Sequence, residues 1–421
     1  QKRNLTLNEA VQLSLTHSER IKLGNAKVDE ASAKLHEAKD NRLPELGLTG
    51  GYLRVNSPKV DLKVKTAATQ QQAGAGTATS SLKVDQVSYG LLNASVPLFS
   101  GLRISQGIKA ANYLHKASEL DAKFDSTDVI EATMEAYSNV YKAGEALKLV
   151  QENLKRGEAR INDFANLEKN GVIARNDLLK VQLQQSNVEL TMLDAENNFK
   201  LATITLNLLL GLKEDTELQL DSNWFKPVKS DPGYLAWENL ALTNRADLQA
   251  LDYRGKAAES GVKAARGEYY PSLALTGGYV AMYIPNVLTV TNAVNVGLGV
   301  KYSISSFWKT GAKIDQAKAQ VAQLDASQNL LNDQIRLQMG HDYQNFLSMR
   351  KKIEVYGKAV EQAMENYRIV KNKHDNNLST TTDLLDADVA QLQSRIDFTF
   401  ARADAMIAYE KLRKTAGVIT Q

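Results

Sequence analysis

Pro44-Glu45-Leu46-Gly47-Leu48-Thr49-Gly50-Gly51-Tyr52 returns as Pro271-Ser272-Leu273-Ala274-Leu275-Thr276-Gly277-Gly278-Tyr279, with seven of nine positions identical at an offset of 227. A repeat of this length inside one chain is the signature of an internal duplication. A second pairing sets Gly101, Ile104 and Gln106 against Gly311, Ile314 and Gln316, at an offset of 210. A third sets Asp177-Leu178-Leu179 and Gly211 against Asp383-Leu384-Leu385 and Gly417, at an offset of 206. The fall from 227 to 210 places 17 extra residues in the first half, between its two strand candidates.

Working outward from these anchors, the first repeat covers residues 1–212, a polar linker with Pro227 and Pro232 covers 213–233, and the second repeat covers 234–421. Each repeat reads helix, strand, loop, strand, very long helix, turn, helix. In the first, a helix over about 6–43 stops before Pro44, as helices do ahead of a proline. Strands follow at about 46–55 and 84–99, separated by a polar low-complexity loop containing Gln70-Gln71-Gln72-Ala73-Gly74. Long helices span about 102–169 and 176–210. At about 1.5 Å per residue the longer would extend on the order of 100 Å. The second repeat has strands at about 273–284 and 293–305 and helices at about 309–375 and 383–416.

Helices this long need partners along their length. Ile314, Ala317, Val321, Leu324, Gln328, Leu331 and Ile335 step by three and four, as do Leu385, Val389, Leu392, Ile396, Thr399, Ala403 and Met406. These seven-residue patterns mark helices packed side by side as antiparallel coiled coils. The stripes establish packing and say nothing of function.

The strands carry more. Val294, Val296, Leu298, Val300, Tyr302 and Ile304 alternate with Asn295, Gly297, Gly299, Lys301, Ser303 and Ser305, a strict period of two. Aromatics gather at the strand ends, among them Phe99, Tyr269, Tyr270, Phe307 and Trp308. Apolar and polar faces with interfacial aromatics are what a transmembrane barrel requires, and about 9–11 tilted residues span a bilayer. A soluble sheet packed on helices also has one apolar face, so strand length is what favours the membrane. Four strands cannot close a barrel, and open edges are not tolerated in lipid. Several chains must then share one barrel, most economically with cyclic symmetry.

Composition narrows the remaining classes. The 421 residues carry a net charge of +3, with Lys and Arg interleaved with acids, which argues against a nucleic-acid partner. There is no cysteine, which removes disulfides, thiol nucleophiles and thiolate metal sites. His17, His36, His115, His341 and His374 are scattered without metal spacing. No phosphate-binding loop or nucleophile motif is present, so no enzyme, cofactor or metal role is expected. No run of about 18 apolar residues offers a transmembrane helix. The sequence starts without a charged, apolar leader, and any export signal is expected to have been removed. The competing non-channel reading is a soluble or periplasmic coiled-coil scaffold or adaptor.

With the duplicated layout, the helix-to-strand prolines Pro44 and Pro271, the Val96-Pro97-Leu98-Phe99-Ser100-Gly101 junction and the Asp383-Leu384-Leu385-Asp386-Ala387 segment, the chain resembles the TolC-like outer-membrane efflux proteins. The resemblance implies an α+β membrane protein of a Gram-negative bacterium. Four strands per chain would join a shared twelve-stranded trimeric barrel in outer-membrane lipid, and the helices would form a periplasmic coiled-coil tunnel. It further implies a periplasmic adaptor and an inner-membrane pump of the resistance-nodulation-division or ABC type as partners, with the duct conducting passively. Asp383 and Asp386 share a helix face and would narrow the periplasmic entrance as a carboxylate ring. Asp383 has a second reading as a helix N-cap, which is also the expectation for Asp177. The tips carrying Asn170, Gly171, Ala174 and Asp177, and Asn377 and Thr380, would dock the adaptor. The second tip departs from the family pattern, with His374, Asn377 and Thr380 where an aromatic, Gly and Ser or Arg often stand.

Overall fold

The computed structural model describes residues 2–56, 84–225, 231–285 and 287–419. Its elements are β1 (Lys2–Leu5), α1 (Leu7–His17), α2 (Glu19–Asp40), β2 (Glu45–Arg54), β3 (Gln86–Phe99), α3 (Arg103–Lys169), α4 (Arg175–Leu209), β4 (Glu217–Leu220), α5 (Tyr234–Asn244), α6 (Ala246–Arg266), β5 (Ser272–Ile284), β6 (Leu288–Lys301), α7 (Ser306–Asp375) and α8 (Thr381–Thr415). The low-complexity stretch around Gln70 and the linker proline Pro227 lie outside the described residues. No described helix is long and apolar enough to cross a membrane, which leaves a β-barrel untouched.

The duplication is visible element by element. α1 and α5 both have 11 residues and start 227 apart, at Leu7 and Tyr234. α4 and α8 both have 35 residues and start 206 apart, at Arg175 and Thr381. The pairing of Gly101 with Gly311 does not survive. Gly101 occupies the turn before α3 with φ +63°, whereas Gly311 lies inside α7. The helix starts correspond instead at Arg103 and Ser306, each with its amide bonded to the serine carbonyl three residues back. The estimate of 17 extra residues falls with that pairing. The first loop is still the longer, since only residues 285–287 join β5 to β6.

The chain divides into two compact units, each drawing on both repeats: Gln1–Glu30, His115–Arg254 and Leu324–Gln421 form one, Ala31–Leu114 and Gly255–Gln323 the other. The second unit holds an antiparallel sheet ordered β2-β3-β5-β6. Its register puts Leu48 opposite Leu92, Leu92 opposite Tyr279, and Tyr279 opposite Val294. Alternate residues therefore line one continuous apolar face, while Thr49, Asn93, Gly278 and Asn295 fall on the other. That apolar face is bare: Leu46, Leu48, Val294, Val296, Leu298 and Val300 are 67–82% exposed. Burying one such side chain is worth about 1.5–3 kcal/mol, so a sheet of this kind is stable where lipid covers it.

The strand expected over 293–305 runs from Leu288 to Lys301. It stops early because Lys301 pairs with Ser272, the first residue of β5, and Pro271 beyond it has no amide to donate. Ser303 and Ser305 form a turn in which the Ser306 amide donates to the Ser303 carbonyl at 2.9 Å. At the junction into α3, the backbones of Gly101 and Gly267 cross so closely that a Cβ on Gly101 would lie 2.1 Å from the Gly267 carbonyl oxygen. Only glycine fits there, the more so at positive φ.

In the first unit a parallel pair, β1 with β4, joins residues more than 200 positions apart. It rests over a core of Leu5, Val11, Ile130, Tyr137, Leu206, Leu210 and Phe225. The stretch read as a polar linker with two prolines thus contributes a strand and a buried aromatic. The single helix expected over 6–43 is broken at Ser18, and its counterpart is broken at Arg245, both in extended conformation. The end of α1 packs on Gly211 and the end of α5 on Gly417, where a Cβ would lie 2.7 Å from His17 and 2.8 Å from Asn244. Neither Gly nor Pro marks these breaks in the sequence.

Candidate functional site

The two long hairpins, α3–α4 and α7–α8, end in turns built the same way. Gly171 adopts φ +71° and Asn377 φ +60°. The amides of Val172 and Leu378 donate to Leu167 and Lys373, at 2.9 Å and 2.7 Å. Beside them, Asn170 and Asn376 each donate a side-chain amide to the carbonyl four residues back, both at 2.7 Å. Asn377 occupies the left-handed region open to asparagine as well as glycine, so its departure from Gly leaves the turn geometry intact.

The following helix starts differ. Thr380 caps α8 with a reciprocal box. Its hydroxyl accepts the Asp383 amide at 3.1 Å, and the Asp383 carboxylate accepts the Thr380 hydroxyl at 2.7 Å and amide at 2.9 Å. These bonds, the Thr380 side chain first, hold the exposed Asp383 carboxyl below its ordinary value. Asp383 was expected as the N-cap itself; the cap is Thr380, and Asp383 closes the box from the third helical position. Asp386 is also exposed, one turn further on, while Leu384, Leu385, Ala387 and Asp388 beside it are buried. At α4 the cap position is Ala174, which has no hydroxyl, and no side-chain bond is made. Asp177 was expected to cap its helix. It instead receives Lys180 Nζ at 3.3 Å, because the first turn presents no capping partner.

The sequence reading missed the contact that joins the hairpins. Asp388 is buried, and its Oδ2 accepts Arg160 Nη1 at 3.0 Å and Asn153 Nδ2 at 3.3 Å. The same guanidinium donates to the Tyr367 hydroxyl at 3.1 Å. One arginine of α3 thereby ties α8 and α7 together. Below it, Phe164, Val181, Leu384 and Leu385 form a small apolar cluster, and His374 stacks on Phe164 with ring centroids 5.4 Å apart. The signal available in the sequence was spacing: Asp388 lies four residues after Leu384, on the face that packs. Between the tips runs a groove of about 780 Å³ with both charge signs on its walls, including Arg156, Lys180 and Lys371 against Asp163, Asp177 and Asp375.

No constellation of nucleophile, base and oxyanion donors accompanies these residues. What the geometry offers is a capped helix end bearing two exposed carboxylates and a pinned pair of hairpins. The model of the outer membrane efflux protein family matches residues 10–212 and 237–418. The chain belongs to that family. It is 24% identical to toxin and drug export protein A of Aggregatibacter actinomycetemcomitans, over 76% of this chain and 70% of that protein. It is 22% identical to the cation efflux system protein CusC of Escherichia coli K12, over 92% of this chain and 82% of that protein. Its fold matches the crystal structure of the outer membrane protein VceC of Vibrio cholerae with a TM-score of 0.78, at 17% identity, covering 98% of this chain and 96% of that one.

The efflux protein is thus an outer-membrane channel of an export system, of the kind that works with an adaptor and an inner-membrane pump. The family is one of transport channels rather than enzymes. The scaffold reading offers no use for the bare apolar sheet face.

Proposed function

We propose that three copies of the chain close one twelve-stranded barrel in outer-membrane lipid and that their long helices continue as a periplasmic tunnel. The observation that carries this is the four-stranded sheet whose outer strands β2 and β6 have no further partner among the described residues and whose apolar face is exposed. Open edges in lipid require completion by other chains, and twelve strands enclose a lumen where eight would be filled by side chains.

In this reading Asp383 and Asp386 line the narrow periplasmic entrance, six carboxylates in all, and favour cations there. The tips bearing Asn170, Gly171, Ala174 and Asp177, and Asn377 and Thr380, receive the adaptor, with the mixed-charge groove between them as the seat. A pump of the resistance-nodulation-division or ABC type selects the cargo and supplies the energy, and the duct conducts passively. Detergent-purified protein in planar bilayers is expected to give cation-preferring channels, and Asp383→Ala with Asp386→Ala to lower that preference. Recovery as a water-soluble monomer without conductance would refute the channel assembly. Unchanged selectivity in the double variant would remove the two aspartates from the entrance.

A further inference from the structure

All four strands of the large sheet end level with one another on the side where the helices begin. The register sets Glu45 opposite Ser95, Phe99 opposite Leu273, and Ser272 opposite Lys301. Each strand end then leads into its helix through the same order of side chains. Outward from β2 come Leu43 and Arg42; from β3, Leu102 and Arg103. Outward from β5 come Tyr270 and then Arg266; from β6, Trp308 and Lys309. At every end an apolar or aromatic side chain lies nearer the sheet and a cation lies farther out. Leu43, Leu102, Tyr270 and Trp308 are 58–68% exposed, and the four cations are exposed as well. The opposite end of the sheet differs. Its described residues hold one cation, Arg54, and one acid, Asp85.

The fold itself makes little use of these cations. Arg42, Arg266 and Lys309 form no side-chain bond among the described residues, and Arg103 lends only its Nε to the Ser100 carbonyl at 2.9 Å. A helix favours positive charge in its last turn and disfavours it in its first. That accounts for Lys39 and Arg266, in the last turns of α2 and α6. It does not account for Arg103 and Lys309, which stand in the first turns of α3 and α7, where no acid accompanies them. Both repeats nevertheless keep them. By the offset of 227 that relates α1 to α5, Lys39 matches Arg266; by the 206 that relates α4 to α8, Arg103 matches Lys309. Of the acids at these junctions, Glu268 is held by Lys313 at 2.7 and 2.8 Å. Glu45 falls on the opposite face of β2 from Leu46, which leaves Asp40. The crossing of Gly101 and Gly267 also draws the positive charge together. A Cβ on Gly267 would lie 2.8 Å from Arg103 Cγ, so the Arg103 stem runs beside the residue that follows Arg266.

We propose that this collar binds the headgroups of anionic phospholipids in the periplasmic leaflet. Leu43, Leu102, Tyr270 and Trp308 lie at the level of the glycerol and upper acyl chains, and Arg42, Arg103, Arg266 and Lys309 meet the phosphates. The bare apolar face of the sheet continues directly into the collar, so the lipid whose chains cover that face presents its headgroup there. Aromatics take the border between hydrocarbon and water, cations beyond it are attracted to anionic headgroups, and a guanidinium matches phosphate with two parallel bonds. Because the cations gather at one end of the sheet, the collar names one leaflet. The inference rests on the reading that the sheet spans the outer membrane with its helices on the periplasmic side. It adds which lipid lies against the chain, and where.

To test it, the protein is reconstituted in vesicles of equimolar phosphatidylglycerol and phosphatidylcholine with identical acyl chains. It is then re-extracted in mild detergent, and the retained lipid is quantified by mass spectrometry. Phosphatidylglycerol is expected to be enriched about fivefold on the wild-type protein. Replacing Arg42, Arg103, Arg266 and Lys309 together by Gln should bring the two lipids close to parity. Arg42→Lys, Arg103→Lys and Arg266→Lys combined should keep the enrichment, as should Arg54→Gln at the other end of the sheet. Should the fourfold variant fail to fold, Arg103→Gln with Lys309→Gln, and separately Arg42→Gln with Arg266→Gln, should each lose part of it. Parity on the wild-type protein, or enrichment undiminished in the Gln variants, would overturn the collar. Enrichment erased by added inorganic phosphate would show a free-anion site and overturn the lipid assignment. Conductance of the same samples keeps the two readings apart. Channels without enrichment refute the collar alone, enrichment without channels supports the collar and refutes the channel, and a chain that stays in the water phase refutes both.

Discussion

The two hairpin tips share a backbone and differ in how their second helices begin. Gly171 and Asn377 make the same left-handed turn with the same hydrogen bonds. After it, α4 starts at Ala174 with no side-chain cap, whereas α8 starts at Thr380 with a full capping box. Duplication preserved the turn, which reverses the chain between two long helices. It let the helix starts diverge, so that the end carrying Asp383 and Asp386 is the more rigidly held. For the entrance ring proposed above, a fixed cap is what would keep the carboxylate oxygens in place.

The most severe way to break this comparison is at the link beneath both tips. Asp388→Ala leaves the largely covered Arg160 guanidinium without its carboxylate, and removing one partner of a buried pair costs up to about 3–5 kcal/mol. Hydrogen–deuterium exchange should then speed up around α8 and the facing part of α3, well beyond the tip itself. Protection unchanged from wild type would mean that Asp388 does not hold the hairpins. Gly171→Ala comes next. A Cβ at positive φ costs about 1–2 kcal/mol, although nothing crowds the position. Asn377→Gly should leave the second tip's exchange near wild type, and faster exchange there would contradict the equivalence of the turns.

Smaller again is the cap. Thr380→Ala should lose about 1 kcal/mol at the start of α8, while Ala174→Thr should gain protection at α4, bringing the two tips closer. Equal exchange at both tips in the wild-type protein would dissolve the contrast. The box also carries a pH dependence. The Asp383 carboxyl is lowered in the folded state by Thr380, so its contribution is present above the ordinary carboxylate value, near pH 4. It is lost as the pH falls through the lowered value. Exchange at the α8 start should therefore rise selectively in acid, after correction for intrinsic rates, and Thr380→Ala should remove the selectivity. The smallest effect is expected of Asp177→Asn. Its exposed pair with Lys180 is worth at most a few tenths of a kcal/mol.

Much of this was legible in the sequence, because it rests on local chemistry. The nine-residue repeat announced the duplication, and period-two alternation around Val294 to Val300 announced a sheet with one apolar face. Heptad stripes gave the long helices to within a few residues, and proline and glycine gave their ends. A cap at the start of α8 was legible too, although it was placed on Asp383 and not on Thr380, three residues earlier.

Other features depended on partners distant in the chain. Ser18 and Arg245 break their helices because α1 and α5 must end against Gly211 and Gly417, a demand no local pattern records. β1 finds β4 across the whole first repeat. Asp388 is buried because Arg160 and Asn153, on another helix, compensate it. The sequence by itself determined which segments are helix and strand and that they occur twice, since periodicity and turn chemistry act over a few residues. Only the tertiary structure decided which of two equivalent helix faces is covered. Burial is set by whatever element arrives from elsewhere, which is why Leu385 of α8 is buried while its counterpart Leu179 of α4 is exposed.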